Sequence, residues 1–103
     1  MPKDVTDQTL TQQLSNQFTV VDLWAPWCGP CRMVGPILEQ LEEELDFSLL
    51  KLNIDDNPAT PTAFGVQSIP TLILYRDGKP VEKITGAYPK AQLKDHLAAW
   101  MAQ

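Results

Sequence analysis

A nearly unbroken apolar run, Phe18–Trp24, constrains the fold of this chain more than any other segment. Its β-branched and aromatic residues are typical of a strand that is covered on both faces. A long amphipathic segment follows it up to about Leu45, and a second apolar run, Ser48–Ile54, comes next. A strand, a helix and a strand in this order predict a parallel pair joined by a right-handed crossover.

The rest of the chain extends this pattern into a mixed α/β sheet. A third strand, Thr71–Tyr75, is joined by the turn at residues 76–79 to a fourth, Val81–Thr85, which predicts an antiparallel hairpin. Residues 1–5 carry too little apolar pattern to assign, so we expect four or five strands. Three further helices would help to cover both faces of the sheet: Thr6–Leu14 with Thr6 as its N-cap, Ala59–Phe64, and a last helix with Pro89 at its first position.

The crossover helix is predicted to begin around residues 28–30 and to bury one apolar stripe. The stripe consists of Val34, Ile37 or Leu38, Leu41 and Leu45. Acidic residues lie between the members of this stripe and predict a solvated face: Glu39, Glu42, Glu43 and Glu44.

Length and charge limit the functions that are open to the chain. It has 103 residues, with 8 Lys and Arg against 13 Asp and Glu, and a formal net charge of -5 at pH 7. This length predicts one domain over residues 1–103. The acidic balance speaks against nucleic acid and anionic membranes as partners. No apolar run approaches the roughly 20 residues that span a bilayer, and residues 1–5 do not resemble a signal peptide. We therefore expect a cytoplasmic protein that acts as a monomer.

The two cysteines, Cys28 and Cys31, are badly spaced for a structural role. A disulfide that closes so short a loop stabilises by about 2 kcal/mol, against about 3 kcal/mol for a 15-residue loop. A structural zinc site usually needs four Cys or His ligands, and the only other soft ligand is His96, far along the chain. We therefore predict no metal site and expect the pair to have a chemical role.

The pair lies where a strand ends and the next helix begins, which is the usual place for sites in open α/β sheets. Unpaired amides of the first helical turn and the helix dipole favour the thiolate form of Cys28. Cys31, almost one turn further in, is predicted to be more buried and to keep its proton longer. Gly29 allows a tight entry into the helix, and Pro30 fixes the backbone of the first turn without needing an N–H partner.

Asp22 is the one charged residue in the first apolar strand. Burial at this position would raise the pKa of its carboxyl, which suits a group that takes a proton from Cys31. The residues alone leave an alternative open, in which Asp22 occupies a solvated position on the sheet.

These segments, in this order and at this spacing, resemble the thioredoxin family. The matching motifs are Val21-Asp22-Leu23-Trp24, Trp27-Cys28-Gly29-Pro30-Cys31, Ile69-Pro70-Thr71 and Gly86. The resemblance covers nearly the whole chain from Phe18 to Trp100. It implies the thioredoxin fold and a dithiol that reduces protein disulfides.

The resemblance also implies roles for individual residues. Asp22 would be buried behind the second cysteine, with Lys51 near it on the neighbouring strand. The Ile69–Pro70 bond would be cis and face the cysteines, so that the backbone of Ile69 can pair with an extended client segment. The residues that bind the client around Cys28 would be Trp27, Ile69, Pro70, Gly86 and Ala87.

The chain has no glycine-rich dinucleotide loop, and we expect no cofactor. Another protein must then restore the dithiol, and the resemblance implies an NADPH-dependent flavoprotein, thioredoxin reductase. The substrates would be disulfide-containing proteins, among them enzymes that finish their cycle oxidised. Two alternatives stay open: an oxidant or isomerase, and a binding module that does not use its thiols.

Overall fold

The computed structural model describes all 103 residues and contains five strands and four helices. The strands are β1 (Lys3–Val5), β2 (Thr19–Trp24), β3 (Ser48–Asn53), β4 (Thr71–Arg76) and β5 (Lys79–Thr85). The helices are α1 (Leu10–Gln13), α2 (Gly29–Leu45), α3 (Ala59–Ala63) and α4 (Lys90–Met101). The predicted strands and the two long helices are all present, and their ends differ from the prediction by one or two residues.

The five strands form one mixed sheet in the order β1-β3-β2-β4-β5. Strands β1, β3 and β2 run parallel, while β4 pairs antiparallel with β2 and β5 pairs antiparallel with β4. The predicted parallel pair and the hairpin are confirmed, and β1 brings the number of strands to five. β1 escaped the sequence pattern because it has three residues and buries only Val5.

Apolar residues alternate between two covered faces of the sheet. One face packs against α2 and α4, and its core includes Val20, Leu38, Leu41, Leu49, Leu72, Leu74, Leu93 and Leu97. The other face is covered by α1 and the segment around α3, and its core consists of Val5, Leu10, Val21, Leu23, Leu50, Leu52, Ile73 and Tyr75. Helices on both faces, as predicted, explain why the central strands are apolar at nearly every position.

Two helices begin later than predicted. α1 begins at Leu10 because Thr6 caps a preceding turn: its hydroxyl accepts from the Thr9 N–H at 3.2 Å, and its own N–H donates to Thr9 Oγ1 at 2.9 Å. Pro89 is the N-cap of α4, with extended backbone, rather than its first helical residue. Its carbonyl still accepts from the Leu93 N–H at 3.0 Å, as the carbonyl of an N-cap does.

Glu42 is not part of a solvated face, so that prediction is wrong at this position. The residue is buried, with 9% of its surface exposed. One oxygen accepts from the Leu49 N–H at 3.1 Å, and the other lies 3.1 Å from the Met1 ammonium. The reason is tertiary: the start of β3 lies against the end of α2, and a buried backbone amide there needs an acceptor.

Candidate active site

The two cysteines lie at the junction of β2 and α2. Cys28 is the N-cap of α2, and Pro30 lies in the first helical turn. The cysteines form a disulfide, with their Cα atoms 5.4 Å apart. The Cys31 N–H donates to Cys28 Sγ at 3.2 Å, so an amide of the first turn is directed at this sulfur. The start of the helix therefore surrounds Cys28 with the groups that stabilise a thiolate.

The two cysteines face different surroundings. Cys31 lines a cavity of about 170 Å³ behind the disulfide, and Cys28 does not. The prediction that Cys31 is the more buried of the two is wrong for this oxidised form, because the cavity leaves it 7% exposed against 4% for Cys28. A Cβ added to Gly29 would meet no atom within 4 Å, so the entry into the helix does not itself require glycine.

Asp22 lines the inner cavity from the middle of β2. It is 2% exposed and lies opposite Lys51 of β3, which excludes a solvated carboxylate. Burial raises the pKa of Asp22 to about 6, a shift that the charge of Lys51 opposes and that of Glu39 reinforces. Asp22 Oδ1 has no hydrogen-bond partner within the protein. A carboxyl in this condition is suited to accept and release a proton near neutral pH.

Lys51 reaches the same cavity from β3. Its Nζ lies 5.6 Å from the centroid of the Trp24 ring and 3.5 Å from the position that a Cβ on Gly35 would occupy. A side chain at position 35 would therefore contact the ammonium group at an ordinary distance. The buried Trp24 Nε1 also has no hydrogen-bond partner within the protein. The inner side of the disulfide is thus a compartment of polar groups that lack fixed partners.

The loop before β4 lies against the cysteines. The Ile69–Pro70 bond is cis, as the resemblance implies, and Ile69 packs on the small cluster around the disulfide. The Gly86 N–H donates to the Pro70 carbonyl at 2.9 Å, and Gly86 has a φ of 113°, which favours glycine. Ala87 is exposed next to it. The structure therefore brings Ile69, Pro70 and Gly86 together, with Ala87 at the margin.

Trp27 is the most exposed aromatic residue of the site, at 66%. Its indole N–H donates to Asp55 Oδ1 at 3.0 Å. With Ile54, Val66 and Ile69 it forms the apolar part of a cavity of about 330 Å³ beside the disulfide. Asp55 and Ile54 were not predicted as site residues, although both directly follow β3, at the carboxyl edge of the parallel strands where α/β sites usually lie.

No group of three or more His, Cys, Asp or Glu side chains is positioned to hold a metal ion. His96 lies on α4, where it hydrogen-bonds to Glu82 rather than approaching the cysteines. No helix has both the length and the apolar character needed to cross a bilayer.

The chain is similar to thioredoxins over nearly its whole length. The thioredoxin family model matches residues 2–99. A thioredoxin from Listeria monocytogenes is 48% identical over 97 residues, which cover 92% of this chain and 94% of that protein. A thioredoxin from Staphylococcus haemolyticus is 45% identical over 95 residues, which cover 90% of this chain and 91% of that protein.

The structure of the chain is also similar to that of a thioredoxin. A mutant thioredoxin from Halobacterium salinarum matches with a TM-score of 0.83 at 35% sequence identity, over 95% of this chain and 88% of that chain. The predicted thioredoxin fold is confirmed, with its redox-active disulfide at the start of α2. This chain belongs to the thioredoxin family of protein-disulfide oxidoreductases, which act by dithiol–disulfide exchange.

Proposed function

We propose that this protein is a general reductant of protein disulfides in the cytoplasm, where it maintains redox homeostasis and recycles thiol-dependent enzymes. The observation that carries the proposal is the position of the disulfide at the start of α2, next to a buried carboxyl. Cys28 is the N-cap of the helix, and Cys31 lines the polar cavity that also contains Asp22. A reductant of many proteins needs one thiol that reaches an external disulfide and a second that completes the exchange from within.

The proposed reaction starts from the reduced protein. The Cys28 thiolate attacks one sulfur of a client disulfide, a new bond joins Cys28 to the client, and the other client sulfur leaves as a thiolate. Cys31 loses its proton and attacks Cys28 Sγ, which forms the Cys28–Cys31 disulfide and releases the second client sulfur. The two cysteines lose two electrons, which the client gains. The client thiolates take up two protons in all, one that Cys31 gives up and Asp22 then releases, and one from solvent.

Asp22 is the proposed acceptor of the Cys31 proton. Both residues line the inner cavity, and burial holds the pKa of Asp22 at about 6. Lys51, opposite Asp22 in the sheet, limits the rise in this pKa and keeps the carboxylate form accessible. Gly29 and Pro30 form the helix start that orients the first-turn amides toward Cys28, which supports its ionisation.

Clients would bind to a rim formed by Trp27, Ile69, Pro70, Gly86 and Ala87. Trp27 offers an exposed aromatic surface that Asp55 holds in one orientation. No hydrogen bond within the protein uses the backbone of Ile69, which is free to pair with an extended segment of the client. Main-chain pairing of this kind gives affinity with little sequence preference, as a general reductant requires.

Each turnover leaves the protein oxidised, so a partner must reduce it. We propose an NADPH-dependent flavoprotein, thioredoxin reductase, as that partner. The chain would bring no cofactor of its own, and it would act as a monomer because one chain supplies every residue of the proposed site.

Reduction of insulin by dithiothreitol tests whether the thiols are used. The wild type should accelerate the turbidity that follows reduction, and the Cys28→Ser, Cys31→Ser double variant should not. Equal acceleration by both proteins would contradict the proposal and favour a binding module that does not use its thiols.

Trapping of clients tests the separate roles of the two cysteines. Cys31→Ser should accumulate covalent mixed disulfides, because no second thiol remains to attack the bond between Cys28 and the client. Cys28→Ser should not accumulate them. Non-reducing gels followed by mass spectrometry measure the trapped species. Accumulation on Cys28→Ser alone would mean that the roles are reversed.

A further inference from the structure

A third cavity, of about 290 Å³, lies between edge strand β5 and helix α4. Its lining includes the apolar residues Ile84 and Leu93 and the polar residues Glu82, Tyr88, Gln92 and His96. The proposed mechanism uses none of these side chains. A cavity of this volume lies at the lower end of the range for ligand sites and suits one side chain better than a whole small molecule.

Tyr88 connects this cavity to the proposed client rim. The Gly86 N–H is bonded to the Pro70 carbonyl beside the disulfide. The Tyr88 ring lies 3.7 Å from the position that a Cβ on Gly86 would occupy, and the same residue lines the cavity. Tyr88 is 37% exposed. A client segment that crosses Gly86 therefore continues over the tyrosine ring to the cavity.

The cavity contains a carboxylate with a free oxygen. Glu82 Oε1 is hydrogen-bonded by both His96 Nε2 and Trp100 Nε1, at 2.6 Å each, while Oε2 makes no hydrogen bond within the protein. Burial acts to raise the pKa of Glu82, but the hydrogen bonds from His96 and Trp100 lower it below its ordinary value. Glu82 thus stays ionised at neutral pH, with one third of its side chain exposed.

The neighbouring lysines do not neutralise this carboxylate. Lys83 also lines the cavity, but its Nζ lies away from it and donates to the Phe64 carbonyl at 3.0 Å. Lys90 and Lys94 extend from α4 toward α2, and both bind the carboxylate of Glu44, at 2.6 and 2.9 Å. The cavity therefore offers an anionic acceptor and an aromatic ring, and no ammonium group of these three lysines enters it.

We propose that this cavity is a subsite for an arginine or lysine side chain of the client, with Glu82 as a specificity-determining residue. The inference rests on the proposed function, because it requires a client chain on the rim beside Gly86. A cation in the cavity would pair with Glu82 Oε2, and Tyr88 offers it a ring face. The protein would then reduce clients with a basic residue near the disulfide faster than otherwise identical neutral clients.

Disulfide-containing peptides that differ in one residue test this subsite. The variable residue is placed at successive positions on either side of the client cysteine and is either arginine or its neutral isostere citrulline. For the best position, wild-type kcat/KM should be about two- to fivefold higher with arginine, as expected for a partly exposed ion pair. Glu82→Gln keeps an acceptor for His96 and Trp100, and it should abolish the preference for the arginine peptide over the citrulline peptide.

Two further variants keep the test decisive. Glu43→Gln removes the same charge from an exposed site on α2 and should retain the preference. Gln92→Lys adds a cation to the cavity wall and should remove or reverse the preference, even if Glu82→Gln fails to fold. Equal rates for both peptides at every position in the wild type, or an equal loss in Glu43→Gln, would overturn the subsite. Failure of the wild type to reduce either peptide or insulin would instead overturn the proposed function.

Discussion

A buried carboxylate lies beside each end of α2, but only one of the two has a full set of partners. Near the C-terminal end, Glu42 receives a backbone N–H on one oxygen and an ammonium group on the other. Beneath the N-terminal end, Asp22 is more deeply buried, yet its Oδ1 has no partner, and burial raises its pKa to about 6. Glu42 supplies the acceptor that a buried backbone N–H needs. Burial disfavours the ionised form of Asp22, which lies beside the disulfide.

The difference shows how a buried charge in this protein can be interpreted. Depth of burial alone does not separate the two carboxylates, since both are largely covered. Hydrogen bonding separates them, because both oxygens of Glu42 have a partner and Asp22 Oδ1 has none. An unpartnered carboxylate next to a thiol can gain or lose a proton at little cost. The predictions that follow use this contrast.

Removing the charge of Asp22 should stabilise the oxidised protein. A pKa raised from 3.8 to about 6 means that ionising Asp22 costs the folded state up to about 3 kcal/mol at neutral pH. We therefore expect Asp22→Asn to raise the free energy of unfolding by about 1–3 kcal/mol, less any cost of the buried amide. Urea denaturation at neutral pH measures the change, and a loss of stability would contradict it.

The same carboxyl should give the wild type a characteristic pH dependence. Between pH 3.8 and about 6, folded Asp22 holds a proton that the unfolded chain has lost, so its contribution to stability falls as the pH rises. Above this window the contribution is constant. The Asp22→Asn variant should lack this fall in stability. Measuring the free energy of unfolding of both proteins across the window checks the prediction.

Replacing Glu42 should change the free energy of unfolding in the opposite direction to replacing Asp22. Glu42→Ala leaves the buried Leu49 N–H without its acceptor and should lower the free energy of unfolding by about 1–3 kcal/mol. The matched control is Glu43→Ala, an exposed neighbour whose loss should change stability by less than about 0.5 kcal/mol. Equal stability of the two variants would mean that Glu42 acts as a solvated residue after all.

Gly35→Ala should have the smallest effect. The added Cβ lies at an ordinary contact distance of 3.5 Å from Lys51 Nζ, and alanine favours the helix by about 0.5–1 kcal/mol. We expect a gain in stability of this size and, because the methyl group further desolvates the cavity, a higher pKa for Asp22. The pH at which the free energy of unfolding stops falling reports that pKa, and it should be higher in the variant than in the wild type. A clear loss of stability would show that the Lys51 ammonium group requires the space.

The fold could be predicted where the pattern is long and local. The apolar runs of β2 and β3 and the amphipathic α2 lie close in sequence, and their periodicity alone fixes a parallel sheet. The short elements could not be assigned in this way. β1 buries one residue, and α1 is a single turn whose start depends on hydrogen bonds between two threonines.

The site was predictable to a similar extent. Cys28 and Cys31 lie at the start of a helix, so their spacing already indicates a dithiol, whereas the residues alone leave a solvated Asp22 open and only the resemblance implies its burial behind Cys31. The partners of Glu42, the bond between Trp27 and Asp55 and the cavity behind Cys31 depend on contacts between distant segments. No local pattern encodes those contacts, which is why a run of glutamates resembled a uniform solvated face.

Release of a client from its mixed disulfide with Cys28 is the step that tests the role of Asp22 most directly. Single-turnover kinetics would follow this step in the wild type and in Asp22→Asn between about pH 6 and pH 9. If Asp22 takes the proton from Cys31, release in the variant should be slower by about 100-fold near neutral pH, and the difference should shrink as hydroxide replaces the carboxylate. Equal release rates across this range would contradict proton transfer through Asp22.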